Sequence, residues 1–263
     1  MEYTPKLTKP YSTGSYNKVD DTEQWIRITE GCPNNCPYCF EPREVKIHPI
    51  PEIVRNRVKI MDMNLLSKKQ ALDIMQELGS KKVDGKVVYY ELICGIDYRF
   101  TTQELADALK QNRFKNIRLA WDWEINRQKA IKNCIQLLLK AGYIPKDITV
   151  FMICNWKISY DDNLRKLDLC KVWNVKVADC WFDNQLSPNI KPIHWNIYEI
   201  KDFRKRVRKH NQIVNFGIDP ELDETGFLQT QAGLRQSLNK GLTDFQKENP
   251  KSATQTSLNP DIK

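Results

Sequence analysis

The stretch GCPNNCPYCFEP, Gly31 to Pro42, places three of the chain's eight cysteines, Cys32, Cys36 and Cys39, within a few residues of one another. Their spacing is C-x3-C-x2-C. The loop follows directly on Trp25–Thr29 (WIRIT), whose apolar alternation predicts a strand. A structural zinc site closes with four Cys or His ligands, usually as two close pairs. Only three thiols are local here, and His48, His194 and His210 lie far away in sequence without forming a second pair. A [4Fe–4S] cube held by Cys32, Cys36 and Cys39 suits the count better, because three protein ligands leave one iron for a substrate or cofactor. Zinc in the same loop is the alternative.

Working outward from the loop, strand and helix signals alternate. Val58–Met63 (VKIMDM) predicts a second strand, and Ser67 caps a helix to about Leu78 that Gly79 ends. Val87–Cys94 (VVYYELIC) predicts a third strand, and a capping box, Thr101-x-x-Glu104, opens the next helix. Ile117–Asp122 is the fourth strand. A helix from about Glu124 to Ala141 follows, with Gly142 at its end. Ile148–Cys154 and Val175–Phe182 are the fifth and sixth strands, separated by a helix over about Asp161–Trp173. A last helix, about Trp195–His210, with Ile197, Ile200, Phe203 and Val207 as its apolar face, precedes a short strand candidate, Ile213–Ile218. Regular βα alternation requires a parallel sheet, since each parallel crossover needs a helix-sized connection. The expected fold class is α/β: a partial (βα)6 TIM-type barrel with the cysteine loop after strand 1. A flat doubly wound sheet is the alternative. In both, function sits at the C-terminal ends of the strands.

Length and composition agree with a folded chain. The 263 residues are 41% hydrophobic, and no apolar run approaches the roughly 20 residues of a membrane span. The first 22 residues are polar and lack a signal-peptide core, so a cytoplasmic location with reduced thiols is expected. Residues 1–22 and 221–263 are expected to be loose segments flanking a domain at 23–220. A formal charge of +8 and a pI near 9.0 favour an anionic partner, a nucleotide or nucleic acid, and no membrane.

Cys32-Pro33-Asn34-Asn35-Cys36-Pro37-Tyr38-Cys39, with its aromatic residue before the third cysteine, resembles the signature of the radical S-adenosylmethionine (SAM) enzymes. The resemblance covers about residues 23–185. It implies a partial (βα)6 barrel, a [4Fe–4S] cluster on Cys32, Cys36 and Cys39, and SAM on the open iron. It also implies reductive cleavage of SAM to a 5′-deoxyadenosyl radical, oxygen sensitivity, and an electron donor such as flavodoxin or ferredoxin. Tyr38 belongs to the signature. Met61-Asp62-Met63-Asn64 looks like the strand-2 ending of the branch with methylthiotransferases and cobalamin-dependent members, which would set Asp62 and Asn64 at the SAM amino group. Arg99, in Gly95-Ile96-Asp97-Tyr98-Arg99, matches a family arginine near the SAM carboxylate. Asp122 would accept from a ribose hydroxyl. Cys154-Asn155-Trp156 departs from the family's Gly-Pro-Gly-Glu, although Asn155 stands in the contact position. The accessory domains of that branch are not expected within these 263 residues.

Other residues add candidates. Cys94, Cys154 and Cys180 end strands 3, 5 and 6. They are candidates for an auxiliary cluster, and Cys154 or Cys180 for a hydrogen-atom donor; ordinary core packing is the other explanation. Cys134 and Cys170 fall on helices as packing residues. In KDFRKRVRKH, the cations Lys201, Arg204, Lys205, Arg206, Arg208 and Lys209 suit phosphate or nucleic acid, or simply a solvated face. Trp121, Trp123, Trp156, Trp181 and Trp195 gather at strand ends, where they wall a pocket or fill core. The expected function is radical SAM chemistry on a nucleotide or nucleic-acid base. The alternatives are a zinc-containing nucleic-acid-binding protein without catalysis and a radical SAM enzyme acting on a peptide.

Overall fold

Short β-branched runs alternating with amphipathic helices give a mixed α/β chain. The computed structural model describes residues 14–34, 36, 39, 41–122, 125–154, 156–181 and 195–217. Their elements are β1 (Tyr16–Val19), β2 (Gln24–Arg27), β3 (Thr29–Glu30), β4 (Lys46–Ile47), β5 (Arg57–Ile60), α1 (Ala71–Ser80), β6 (Lys82–Val83), β7 (Lys86–Val87), β8 (Tyr89–Leu92), β9 (Ile96–Asp97), α2 (Gln103–Gln111), β10 (Ile117–Ala120), α3 (Gln128–Lys140), β11 (Ile148–Cys154), α4 (Tyr160–Trp173), β12 (Lys176–Trp181) and α5 (Ile197–Phe216). The chain divides into units Met1–Asn215 and Phe216–Lys263; Phe216 and Gly217 are the described residues of the second.

Two four-stranded sheets carry the first unit, ordered β1-β2-β5-β8 and β12-β11-β10-β9. In the first, β2, β5 and β8 are parallel and β1 is antiparallel along the edge. The second is parallel throughout. β8 and β9 are two parts of one run: β8 pairs with β5, and β9 pairs with β10. The run breaks at Ile93–Gly95. Gly95 has φ 86°, and a Cβ there would lie 2.9 Å from the Arg118 carbonyl oxygen, so the crossing from one sheet to the other needs glycine. Arg118 Nη1 donates to the Ile93 carbonyl at 2.9 Å and braces the break. The parallel positions therefore follow chain order through both sheets, and no closed barrel forms among the described residues.

Strand alternation sorts the two faces. Val58, Ile60, Tyr90, Leu92, Leu119, Val150 and Val177 share one core with Met75, Leu78, Leu109, Ile135, Leu138 and Leu167 of the helices. Burying each such side chain contributes roughly 1.5–3 kcal/mol, which outweighs the weak intrinsic propensity of helices this short. The opposite face mixes ion pairs with aromatic rings: Lys59 pairs with Glu23 at 3.2 Å and lies over Trp25, and Arg118 pairs with Glu91 and lies over Phe151.

Several expectations need correction. The connection out of β2 has no helix among the described residues. Pro42, Pro49 and Pro51 interrupt it, and proline cannot donate within a helix; β4 instead pairs antiparallel with β3. Tyr16–Val19, inside the segment expected to be loose, forms edge strand β1. Ser67 closes a 3-10 turn, Leu65–Ser67, and α1 starts later at Ala71 and runs past Gly79. Val87 belongs to a hairpin whose turn, Asp84-Gly85, has φ 49° and 73°, a type I′ signature. Ile213–Phe216 is the last turn of α5 rather than a strand; Ile218 lies outside the described residues, as do 1–13 and 218–263. Ile197 is 55% exposed, and the buried face of α5 is Phe203, Val207, His210 and Val214.

That face lies along β12, the edge of its sheet. Asn211 accepts from the Val177 amide at 2.8 Å and donates to the Val177 carbonyl at 2.7 Å, as a neighbouring strand would. Trp195 meets Trp181 and Phe203 edge to face, at 5.4 and 5.2 Å between centroids. Among the described residues no helix is long and apolar enough to cross a membrane.

Candidate functional site

The cysteine loop begins where only glycine fits. Gly31 has φ 83°, and a Cβ there would stand 2.1 Å from the Glu44 carbonyl oxygen. The Gly31 amide donates to Glu41 Oε1 at 2.7 Å, and the Cys32 amide donates to the Pro42 carbonyl at 2.8 Å, so both ends of the loop are closed. Inside it the Cys39 amide donates to the Cys36 carbonyl at 3.0 Å, and the Glu41 amide donates to Cys39 Sγ at 3.4 Å. Beneath it Lys68 is 4% exposed and donates to the carbonyl of Gly31 and, at 3.4 Å, to that of Met63. Burial lowers the Lys68 pKa, while the negative charges of Cys32, Glu41 and Asp62 work in the opposite sense. His48 Nε2 lies 3.0 Å from Glu30 Oε1, which ties β4's end to the residue before the loop.

Cys36 leads from this loop into a cleft of about 230 Å³, lined also by Asp97, Tyr98, Arg99, Ala120, Trp121, Asp122 and Arg127. The cleft sits at the C-terminal ends of β9 and β10. Asp97 is its organising group. It accepts from Arg99 Nη2 at 2.6 Å and from the Arg99 amide at 2.9 Å, and it receives Asn34 Nδ2 from the cysteine loop. Thr101 Oγ1 donates to the Asp97 carbonyl at 3.0 Å. Three of the sequence candidates, Cys36, Arg99 and Asp122, are thus brought together, and Asp97 and Arg127 join them.

Asp62 and Asn64 behave differently from one another. Asp62, expected at a ligand's amino group, is fully buried and takes the Ile28 and Thr29 amides, each at 2.8 Å. Its carboxylate holds the joint between β2 and β3, and Asp62 is not among the residues that line the cleft. Burial pushes its pKa up to about 6, against the lowering effect of the amide donors. The folded state therefore holds this proton more tightly than the unfolded chain. The stability it contributes is present below about 3.8 and lost as pH rises through about 6. Across that window the wild type is expected to lose on the order of 3 kcal/mol more than Asp62→Asn in urea unfolding. Parallel pH profiles for the two proteins would refute titration of Asp62 in this range. Asn64 caps its turn in the left-handed region, φ 55°. Its Nδ2 lies 3.6 Å from Cys32 Sγ, and its buried Oδ1 has no hydrogen-bond partner among the described residues. Tyr38, Asn155 and Trp123 lie outside the described residues.

Behind the cleft sits a lysine that the sequence did not announce. Lys166 of α4 is fully buried and donates to the carbonyls of Trp121, at 3.1 Å, and Asp122. Burial lowers its pKa to about 8, with the charge of Asp122 opposing. It fixes the chain end from which Asp122 projects. Trp121 is buried and stacks on Trp173 at 5.6 Å; Trp156 and Trp195 are buried in the core.

Among the described residues the remaining cysteines join no group of three that would hold a metal ion. Cys94 is exposed, Cys154 buried and Cys180 half-buried. Burial raises both the Cys154 and Cys180 thiols, Cys180 to about 11 with help from Asp122 and Asp179. Cys134 and Cys170 are buried on α3 and α4. On α5, Arg204 pairs with Asp179 at 3.3 Å and lies over the Trp181 ring at 4.8 Å, and Arg206 pairs with Asp202. Lys201, Lys205 and Arg208 point to solvent, and Lys209 is half-buried.

Among the described residues no three His, Cys, Asp or Glu side chains converge on one point that would hold a metal ion. Cys32, Cys36 and Cys39 nevertheless share one loop and bear on one another electrostatically. Cys39 is raised to about 11, first by burial and then by the negative charges of Cys36 and Cys32. Asn64, whose Nδ2 lies beside Cys32 Sγ, has a buried Oδ1 without a hydrogen-bond donor among the described residues.

No protein-family model matches the chain, and no curated protein matches it.

Proposed function

We propose that this chain is a radical SAM enzyme. The sheets joined through Tyr89–Asp97 are read as the walls of a partial (βα)6 TIM-type barrel, supported by the unbroken chain order of their parallel strands. The observation that carries the function is Cys36, which belongs to the three-cysteine loop and also to the wall of the strand-end cleft. Cys32, Cys36 and Cys39 would hold a [4Fe–4S] cluster, which when bound supplies the electron for reductive cleavage of the SAM sulfonium.

The chain's own groups bind and orient. Asn64 Oδ1 offers a buried acceptor to an ammonium group, an interaction worth more there than in water. Arg99, held by Asp97 through Nε and Nη2, keeps its remaining donors for a carboxylate. Asp122 suits a ribose hydroxyl. Lys68 and Asp97 hold the loop against the strand ends, and the buried Trp121 closes the cleft to water on one side.

Reconstitution with iron and sulfide under anaerobic conditions tests this. Expected are visible absorbance bleached by dithionite and release of 5′-deoxyadenosine when SAM and reductant are added. A colourless reconstituted protein that binds one zinc per chain would overturn the proposal.

A further inference from the structure

The outer face of α5 presents a linear pattern. Tyr198, Lys201, Lys205 and Arg208 recur at intervals of three and four residues, so they share one stripe. The stripe lies opposite the buried face made by Phe203, Val207, His210 and Val214. All four are exposed, and Tyr198 is 80% exposed. Lys201, Lys205 and Arg208 make no ion pair with the described residues, whereas Arg204 and Arg206 do. Three cations without an ion pair among the described residues and an exposed aromatic ring thus line up over about 15 Å of helix, with Asp202 beside Lys205.

The stripe's place in the fold is fixed. Arg204 reaches Asp179 and Trp181 near the C-terminal end of β12, while Asn211 meets Val177 farther back. The Tyr198 end of the helix is therefore at the C-terminal end of the parallel sheet, the side on which the cleft opens at β9 and β10.

We propose that this stripe binds single-stranded nucleic acid, with Lys201, Lys205 and Arg208 on successive phosphates and Tyr198 stacked on a base. Spaced cations suit a linear polyanion, and an aromatic ring left in water suits the flat face of a base. A lipid surface would call for a broad apolar face, and an acidic protein has no need of the ring. Binding to the stripe stands by itself; delivery of a base to the cleft rests on the radical SAM reading.

The test is fluorescence anisotropy of labelled oligo(U) with the full chain across a salt series. Combined Lys201→Gln, Lys205→Gln and Arg208→Gln substitution is expected to weaken low-salt binding at least about tenfold. It should also flatten the plot of log affinity against log salt by roughly 2 units, about 0.7 per lost phosphate contact. Tyr198→Ala is expected to weaken oligo(U) binding about fivefold or more and to leave an abasic oligomer unaffected. Circular dichroism checks that the surface variants keep their helix. Unchanged affinity in the triple variant, equal affinity for the abasic oligomer, or tighter stripe-dependent binding to anionic vesicles or an acidic protein would overturn the proposal. Loss of oligo(U) binding by the wild type with cluster formation intact would remove the stripe alone; retained binding without a cluster would remove the enzyme reading alone.

Discussion

Cys36→Ala is expected to lose both the visible absorbance of the reconstituted protein and all SAM-dependent deoxyadenosine release. Cys36 is the thiol shared by the loop and the cleft. Its removal leaves two thiolates for the cube and takes one wall from the ligand space. Two backbone bonds of the loop use its amide and carbonyl and survive the substitution, so the fold should persist and the loss should be chemical. Cys170→Ala is the matched control: a buried thiol on α4, apart from the loop. It should cost about 1 kcal/mol of packing and keep full absorbance. Deoxyadenosine production at wild-type rate by Cys36→Ala would remove the cluster assignment.

The second large effect is expected from Gly31→Ala. A Cβ at this position meets the Glu44 carbonyl at 2.1 Å, which is backbone and cannot rotate away. Glu44 is close to β4, whose pairing with β3 holds that strip in place. The left-handed backbone adds its own penalty for a non-glycine residue, about 1–2 kcal/mol, and the steric displacement about 1–3 more. A fall in Tm of at least about 4 °C follows, together with poor iron incorporation although all three thiols remain. Gly85→Ala separates the two causes, since φ there is 73° but a Cβ meets nothing within 4 Å. It should show the milder loss and normal iron content. Equal behaviour of the two variants would mean that contact with Glu44 has no part in shaping the loop.

The central parallel strands were legible from apolar, β-branched and aromatic runs, and Ile148–Cys154 is observed with the bounds its sequence suggests; the short edge and hairpin strands were not. Punctuation was harder. Thr101 looked like a cap, but its hydroxyl goes to the Asp97 carbonyl, and Thr102 caps α2 through the Leu105 amide at 3.2 Å. Adjacent threonines offer the same local chemistry, and tertiary contacts decide between them. The hairpin at Asp84-Gly85 carried a readable signal that the neighbouring valines masked. The site divides the same way. Cys36 and Arg99 were legible as polar residues in the loops after strands, and they line one cleft. Lys68 and Lys166 were not, because a lysine in sequence reads as surface until the fold supplies carbonyls to receive it. Asp62 was legible as a polar strand end, but not as a group spent on the Ile28 and Thr29 amides between β2 and β3.

The seal that α5 places on β12 bears on solubility. An open sheet margin is a template for another chain, and mismatched copies could stack through it. Asn211 occupies its amide and carbonyl together at Val177. A chain cut ahead of this helix would expose that margin and should self-associate into fibrous or insoluble material, even with its hydrophobic interior unchanged.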